Sequence, residues 1–369
     1  MNNKGELKYI PTLDGWRAVA ILLVMASHAF YSLKTYYGEN EWLTIFSSEG
    51  LMGVRIFFGI SGFLITSKIL DEIQKTQQFS LKNFYYRRIF RLGPALLLFC
   101  SVIGLLSLLN IISISLLEWF GGILFFANFI TKSWYTGHLW SLSVEEHFYI
   151  VWPLLILFFN IQKRPKVVLM LIAVFVIWRL VSWKYGLFRS PALFWGRTDI
   201  QIDGLLWGCL LAILMKDEQY QVYRKWFTSH LFAYASLTLF VGLFFIDATD
   251  YKFRHALYAV QACLIPIFIA GFAANPQTLL SKFLEISAIK WIGRISYSLY
   301  LWQQLFLTSE VGASENMGVF QHWPINIFAA FACATLSYYL VEKPIIRFGH
   351  KFTRKRDALR KARHQSIAT

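Results

Sequence analysis

Charge is what this chain has least of. Lysine, arginine, aspartate and glutamate make up 15% of its 369 residues, where a soluble domain carries about a quarter. With 56% of the residues hydrophobic, a soluble globular protein is excluded. Cysteine is nearly absent as well. Cys100, Cys209, Cys263 and Cys333 stand singly inside apolar runs, without metal-ligand or redox spacing. They read as small buried hydrophobes, and no metal is expected. Also missing are a repeat at fixed period, a low-complexity tract and a long linker. One membrane domain is therefore expected over residues 1–345, followed by a basic tail at 346–369. The first apolar run lacks a small-residue cleavage site, so it is expected to stay as a span rather than leave as a signal peptide.

What the chain does have is apolar runs of the length that crosses a bilayer, about twenty residues each. Recurring along the whole sequence, they predict an all-α polytopic membrane helix bundle. The expected spans are 14–33, 51–70, 92–112, 141–159, 167–183, 199–215, 230–246, 255–274, one beginning at Trp291, and 323–341. Pro94 falls in the first turn of the third, where proline is tolerated. Residues 115–130 are short for a crossing and hold Glu118, Gly121, Gly122 and Asn128. Positive residues in short loops arbitrate, because they favour the cytoplasmic side. If the segment dips in and returns, there are about ten crossings with both termini inside. The inner side then holds 25 of the 36 Lys and Arg, the outer side 7, and the spans 4. If it crosses, 14 face inward and 18 outward. The first arrangement is the better one, with a short re-entrant or interfacial segment. Its first outer turn, 34–50, has three acids against one lysine. The net charge of +15 is then largely a cytoplasmic tail facing an anionic leaflet, and nucleic-acid binding is not needed.

Polar groups inside the spans stand out, since they are costly there. The stretch DGWRAVAILLVMASHAFYSL carries Asp14, Arg17 and His28. Arg17 and His28 are eleven residues apart, close to three turns, so they share a face about 16 Å apart along the axis. Two readings stand side by side. In one, Arg17 snorkels to headgroups and His28 is a buried histidine on a backbone carbonyl. In the other, Arg17 holds a ligand and His28 moves a proton near neutral pH. Toward the inner face gather Arg17, Arg87, Arg88, Arg91 and Arg294. Arg88 and Arg91 are three apart and share a face. Arginine forks suit phosphate oxygens in pairs, while Arg87 alone is explained by topology. Toward the outer face lie His28, the segment HLWSLSVEEHFY, Asp199 and Asp203. Trp134 and Trp140 mark the interface. Glu145 and Glu146 are consecutive acids in a span. One of them holds His28 in its tautomer, or else they neutralise an arginine such as Arg55.

A phosphate site at one end of a helix and a base at the other are separated by about the reach of an extended pantetheine arm. Coenzyme A has that shape, with phosphates at one end and a thioester at the other. The motifs LDGWRAVAILLVMASH, GVRIFFGISGFLIT, FYYRRIFRLGPALL, HLWSLSVEEHFYIVWPLL, DIQIDGLLWGCLLA, WIGRISYSLYLW and LSYYLVEKPIIR run in order along the chain. In these the chain resembles the acyltransferase-3 family, integral-membrane acyltransferases that modify bacterial surface glycans and related molecules. The resemblance covers nearly the whole sequence. It implies a ten-helix core in the bacterial inner membrane, acyl-CoA (acetyl-CoA in the first instance) as co-substrate with no permanently bound cofactor, and a saccharide or glycolipid acceptor. It also implies an essential pair at Arg17 and His28, a functional Arg-x-x-Arg at Arg88 and Arg91, and a functional segment from Trp140 to Glu146.

The expected chemistry is O-acyl transfer, with His28 as base or acyl relay, Glu145 or Glu146 orienting it, and Arg17, Arg88 and Arg91 on the donor. Asp14, Ser61, Trp140, Ser141, Ser143 and Asp203 are further site candidates. The chain departs from the family at Arg55, His147 and Gln303, where many members have Asp, Gln and His, and this argues against a role for Gln303. It continues only briefly beyond the tenth span, so direct transfer without a soluble esterase-like domain is expected. The competing class is a transporter or flippase, which would need broken helices in symmetric halves. No such symmetry is visible in the sequence.

Overall fold

The computed structural model describes residues 9–38, 50–130, 133–188, 190–249, 254–308, 315–353 and 356. The acidic turn at 39–49 and most of the basic tail lie outside these residues.

The apolar runs become helices. α1 is Pro11–Tyr37, opened by a proline whose missing N–H has no partner to lose there. α2 is Gly50–Thr76 and α3 Leu81–Leu108. A short α4, Leu116–Ile123, is closed by a capping box between Ser115 and Glu118. α5 is Leu139–Phe159, α6 Pro165–Lys184 and α7 Thr198–Lys216. α8, His230–Thr249, and α9, Arg254–Ala274, pair with each other. α10 is Ser287–Arg294, α11 Ser296–Phe306 and α12 Ile325–Ser337. α12 continues through a π-turn at Tyr338–Glu342 into a helix that ends at Thr353. Among the described residues, 8 helices are long and apolar enough to cross a membrane, or 9 if the bent pair Glu218–Phe227 and His230–Leu243 counts as one. The polytopic helical bundle is borne out.

One local expectation holds and two change. The segment at 115–130 is a helix of 8 residues followed by a turn, too short to cross, and its Glu118 is a helix cap. The third helix begins eleven residues earlier than expected. Ser80 accepts from the Asn83 N–H and starts α3 in the polar zone, so Arg87, Arg88 and Arg91 lie on the helix itself. Pro94 is therefore interior, where it removes a backbone hydrogen bond. The ninth span is not one rod. It divides at Ile295 into α10 and α11, and an eleven-residue helix reaches only about 16 Å. Gly293 explains the direction of the first piece, since a Cβ there would overlap the Asp14 carbonyl oxygen of α1. The break then turns α11 inward, and Ser298 through Phe306 are all buried.

α1 and α2 lie between two packed cores. One gathers Ile21, Phe58, Phe99, Phe148, Trp152 and Leu299. The other gathers Leu13, Trp16, Ile56, Phe268 and Phe272. α2 also crosses α7 at glycine: a Cβ on Gly62 would overlap the Leu205 carbonyl. Small residues let membrane helices approach this closely, and the approach fixes which face of α2 is left for a cavity.

Candidate functional site

That face of α2 reads Val54, Phe57, Phe58, Ser61, Leu64, Ile65 and Lys68, a helical stripe, and it lines a cavity closed by α1, α3, α5 and α11. The cavity encloses about 840 Å³, its open mouth included. Arg17 enters from α1, Arg88, Arg91 and Leu92 from α3, and Ser141, Leu142, Glu145 and Tyr149 from α5. Ser296, Tyr297 and Tyr300 complete it from α11. The residues from α3 and α5 repeat at three or four positions, the spacing of one helix face. From Val54 to Lys68 the stripe is roughly 20 Å long.

The two ends differ. At the Lys68 end four cations converge: Arg17, Lys68, Arg88 and Arg91. Arg17 leans on Asp14 at 3.4 Å. Asp14 also accepts from the Tyr9 hydroxyl at 2.6 Å. Burial first, and then this carboxylate, push Tyr9 up to about 12, so it stays a donor at any ordinary pH. Arg88 donates to Glu146 at 2.8 Å and lies 3.5 Å over the Tyr149 ring. Lys68 and Arg91 form no ion pair among the described residues, so this end carries surplus positive charge. Midway, Glu145 accepts from the Ser61 hydroxyl at 2.9 Å and from the Tyr149 hydroxyl at 3.4 Å. At the far end the Ser141 and Tyr300 hydroxyls stand 2.5 Å apart, and Tyr300 donates to the His138 carbonyl at 2.7 Å.

His28 lies beyond this end. Gly50 packs on Ser27 and Gly53 on Ala20 and Val24, so α1 and α2 run antiparallel and His28 sits about a turn past Val54. Its Nδ1 is 2.7 Å from Gln303 Oε1, and Gln303 is one turn beyond Tyr300 on α11. The Trp134 indole meets the imidazole edgewise at 5.5 Å.

Of the expected site residues, the cavity unites Arg17, Ser61, Arg88, Arg91, Ser141 and Glu145. Asp14 and Glu146 reach it through the arginines they hold. Neither Glu145 nor Glu146 meets His28: the first is engaged by Ser61 and Tyr149, the second by Arg88. The alternative reading, an acid neutralising an arginine such as Arg55, is met for Glu146 by Arg88, while Arg55 bonds Gln261. Ser143 is turned back onto the Leu139 carbonyl at 3.1 Å and is fully buried. Trp140 packs edgewise on Phe58. Asp203 belongs elsewhere, paired with Arg179 at 2.7 Å. Sequence reasoning missed Lys68, Tyr149, Tyr297, Tyr300 and Gln303. Lys68 is seven residues after Ser61 and Tyr149 four after Glu145, so helical spacing was a signal for those two. Nothing local pointed to Gln303.

Comparison with known proteins adds three findings. A family described as "Acyltransferase domain" matches residues 10–342. A protein of Staphylococcus aureus strain COL, named as a candidate O-acetyltransferase, is 30% identical over 94% of this chain and 59% of its own length. The O-acetyltransferase OatA of Staphylococcus aureus strain NCTC 8325 is 28% identical over 93% of this chain and 58% of its own length. The chain thus spans less than two thirds of the curated relatives it matches. No solved structure matches it.

Proposed function

Since the chain belongs to this acyltransferase family, we propose that it is an integral-membrane O-acyltransferase. It takes an acyl group, acetyl in the simplest case, from acyl-CoA and places it on a hydroxyl of a cell-surface saccharide or similar acceptor. The observation that carries this reading is the polarity of the cavity. Surplus cations at one end suit the phosphates of coenzyme A, because guanidinium forks bind phosphate oxygens in pairs. Hydroxyls and apolar side chains, with the hydroxyl-bonded Glu145 midway, line the rest, which suits a pantetheine arm. Arg17 and His28 stand on one helix at the two ends of that path.

In the proposed reaction the acceptor oxygen attacks the thioester carbonyl. The new C–O bond forms as the C–S bond breaks, His28 takes the hydroxyl proton, and the imidazolium returns it to the departing thiolate. General-base help of this kind contributes about 10²–10⁴-fold. The cationic end faces the cytoplasm, where acyl-CoA is made, and both termini lie on that side of the bacterial inner membrane, in keeping with the lysine and arginine distribution. The relatives' names, both O-acetyltransferases, support acetyl as the group to test first.

The experiment is transfer in proteoliposomes, with radiolabelled acetyl-CoA on the cationic side and a lipid-linked or oligomeric sugar acceptor on the other. Label on the acceptor as an alkali-labile ester is expected. No ester on any hydroxyl acceptor, with no binding of coenzyme A, would overturn the reading. Label retained on His28 in the absence of acceptor would convert direct transfer into a relay.

A further inference from the structure

We propose that Gln303 is the positioning residue of the His28 end, fixing the imidazole with its proton on Nδ1 and its Nε2 lone pair free for the acceptor. This rests on the proposed function. It concerns a residue whose departure from the family pattern argued against any role.

The geometry is direct. Gln303 is fully buried, and its side-chain oxygen meets His28 Nδ1 at 2.7 Å. A neutral imidazole carries one proton, and a carbonyl oxygen can only accept. The proton therefore sits on Nδ1, and Nε2 is the base. The segment around Gln303 is held firmly. The next residue, Gln304, donates to the Trp134 carbonyl at 2.5 Å and accepts on its own carbonyl from the Trp134 indole at 3.0 Å. The same indole stands edgewise to the His28 ring. Two consecutive glutamines thus hold the imidazole and the aromatic wall beside it.

An amide orients the ring without supplying a counter-charge. The imidazolium formed during transfer is then not trapped as an ion pair and can give its proton to the thiolate. The two carboxylates that sequence placed beside His28 are engaged elsewhere, Glu145 by Ser61 and Tyr149 and Glu146 by Arg88. Among the described residues, His138, from the turn before α5, is a titratable group close enough for its charge to interact with that of His28. The amide nitrogen of Gln303 meets no acceptor among the described residues. Replacing the amide by a carboxylate of the same shape therefore removes no hydrogen bond.

The test measures kcat, the KM for acetyl-CoA and the pH dependence of transfer for wild type, Gln303→Met, Gln303→Glu and His28→Ala in proteoliposomes. Gln303→Met keeps the shape and loses the acceptor, so kcat should fall about 10- to 100-fold, part of the general-base contribution, with KM unchanged. Gln303→Glu should keep substantial kcat. Its carboxylate stabilises the imidazolium, so the base loses its lone pair at higher pH and the acid limb of the profile moves up by about one unit or more. Wild-type kcat and profile in Gln303→Met, with His28→Ala inactive, would overturn this role and leave the proposed function standing. If Gln303→Met does not accumulate, an unshifted acid limb in Gln303→Glu overturns it just as well. Full activity in His28→Ala would instead remove the base itself, and this role with it.

Discussion

Arg179 and Asp203 sit 2.7 Å apart with neither side chain exposed, whereas Arg91 and Lys68 line a cavity and meet no carboxylate among the described residues. Both clusters put charge inside the bundle, and sequence reasoning treated members of both as site candidates. The first is sealed. Arg179 also donates to the Ile200 carbonyl at 3.0 Å, and the Tyr258 ring lies under both Arg179 and Arg55, at 4.2 and 4.4 Å. Tyr258 is itself held by Gln201 at 2.6 Å. It ties α2, α6, α7 and α9 together. The second cluster is open and carries more cations than anions. Intramembrane charge alone therefore does not mark a site. Empty volume beside a charge that its own protein leaves unmatched does.

The comparison breaks most sharply at Asp203. Asp203→Ala strands Arg179 in a dry interior, and losing one partner of a buried pair costs about 3–5 kcal/mol. Accumulation in the membrane and melting temperature should both fall, and a shape-matched apolar pair, Arg179→Met with Asp203→Leu, should recover much of the loss. Normal accumulation of Asp203→Ala with transfer abolished would move this cluster into the active site.

Arg91 and Arg88 should separate next. Each is proposed to give a charge-assisted phosphate contact worth about 1.5–3 kcal/mol. Arg91→Ala should raise the KM for acyl-CoA accordingly with accumulation intact, because Arg91 has no carboxylate to strand. Arg88→Ala should raise that KM and also lower accumulation, since it leaves Glu146 unpaired. Equal effects of the two substitutions on thermal stability would contradict this. Arg91→Lys should restore donor use only in part, because an ammonium lacks the planar fork. Titration of coenzyme A binding would read that difference. The smallest effect is expected at Ser61. Ser61→Ala removes one hydrogen bond to Glu145, which keeps Tyr149, so a change of about 0.5–1.5 kcal/mol in donor binding should appear. A total loss of transfer would give Ser61 a chemical role.

Much of this was legible locally. The Arg88–Arg91 spacing and the Arg17–His28 register depend on helical period, which a sequence displays directly; the Val54–Lys68 stripe has the same period but went unread. The break at Ile295 was not legible, because it follows from Gly293 lying on the Asp14 backbone, a contact across 279 positions. Nor were the partners of Glu145 and Glu146. Two adjacent residues on a helix point about 100° apart, and which neighbour each meets depends on the helices packed there.

From sequence alone came the class of solvent, the helices and the stripe of arginines. Those rest on composition and on a periodicity that the backbone enforces within a few residues. The tertiary structure alone decided that Asp203 is sealed, that Lys68 and Arg91 face open space, and that His28 is held by Gln303, 275 residues away in the chain. The physical reason is that a polar group in a membrane bundle must find its partner across helices. Glycine contacts such as Gly62 on Leu205 set which faces come close enough to provide one.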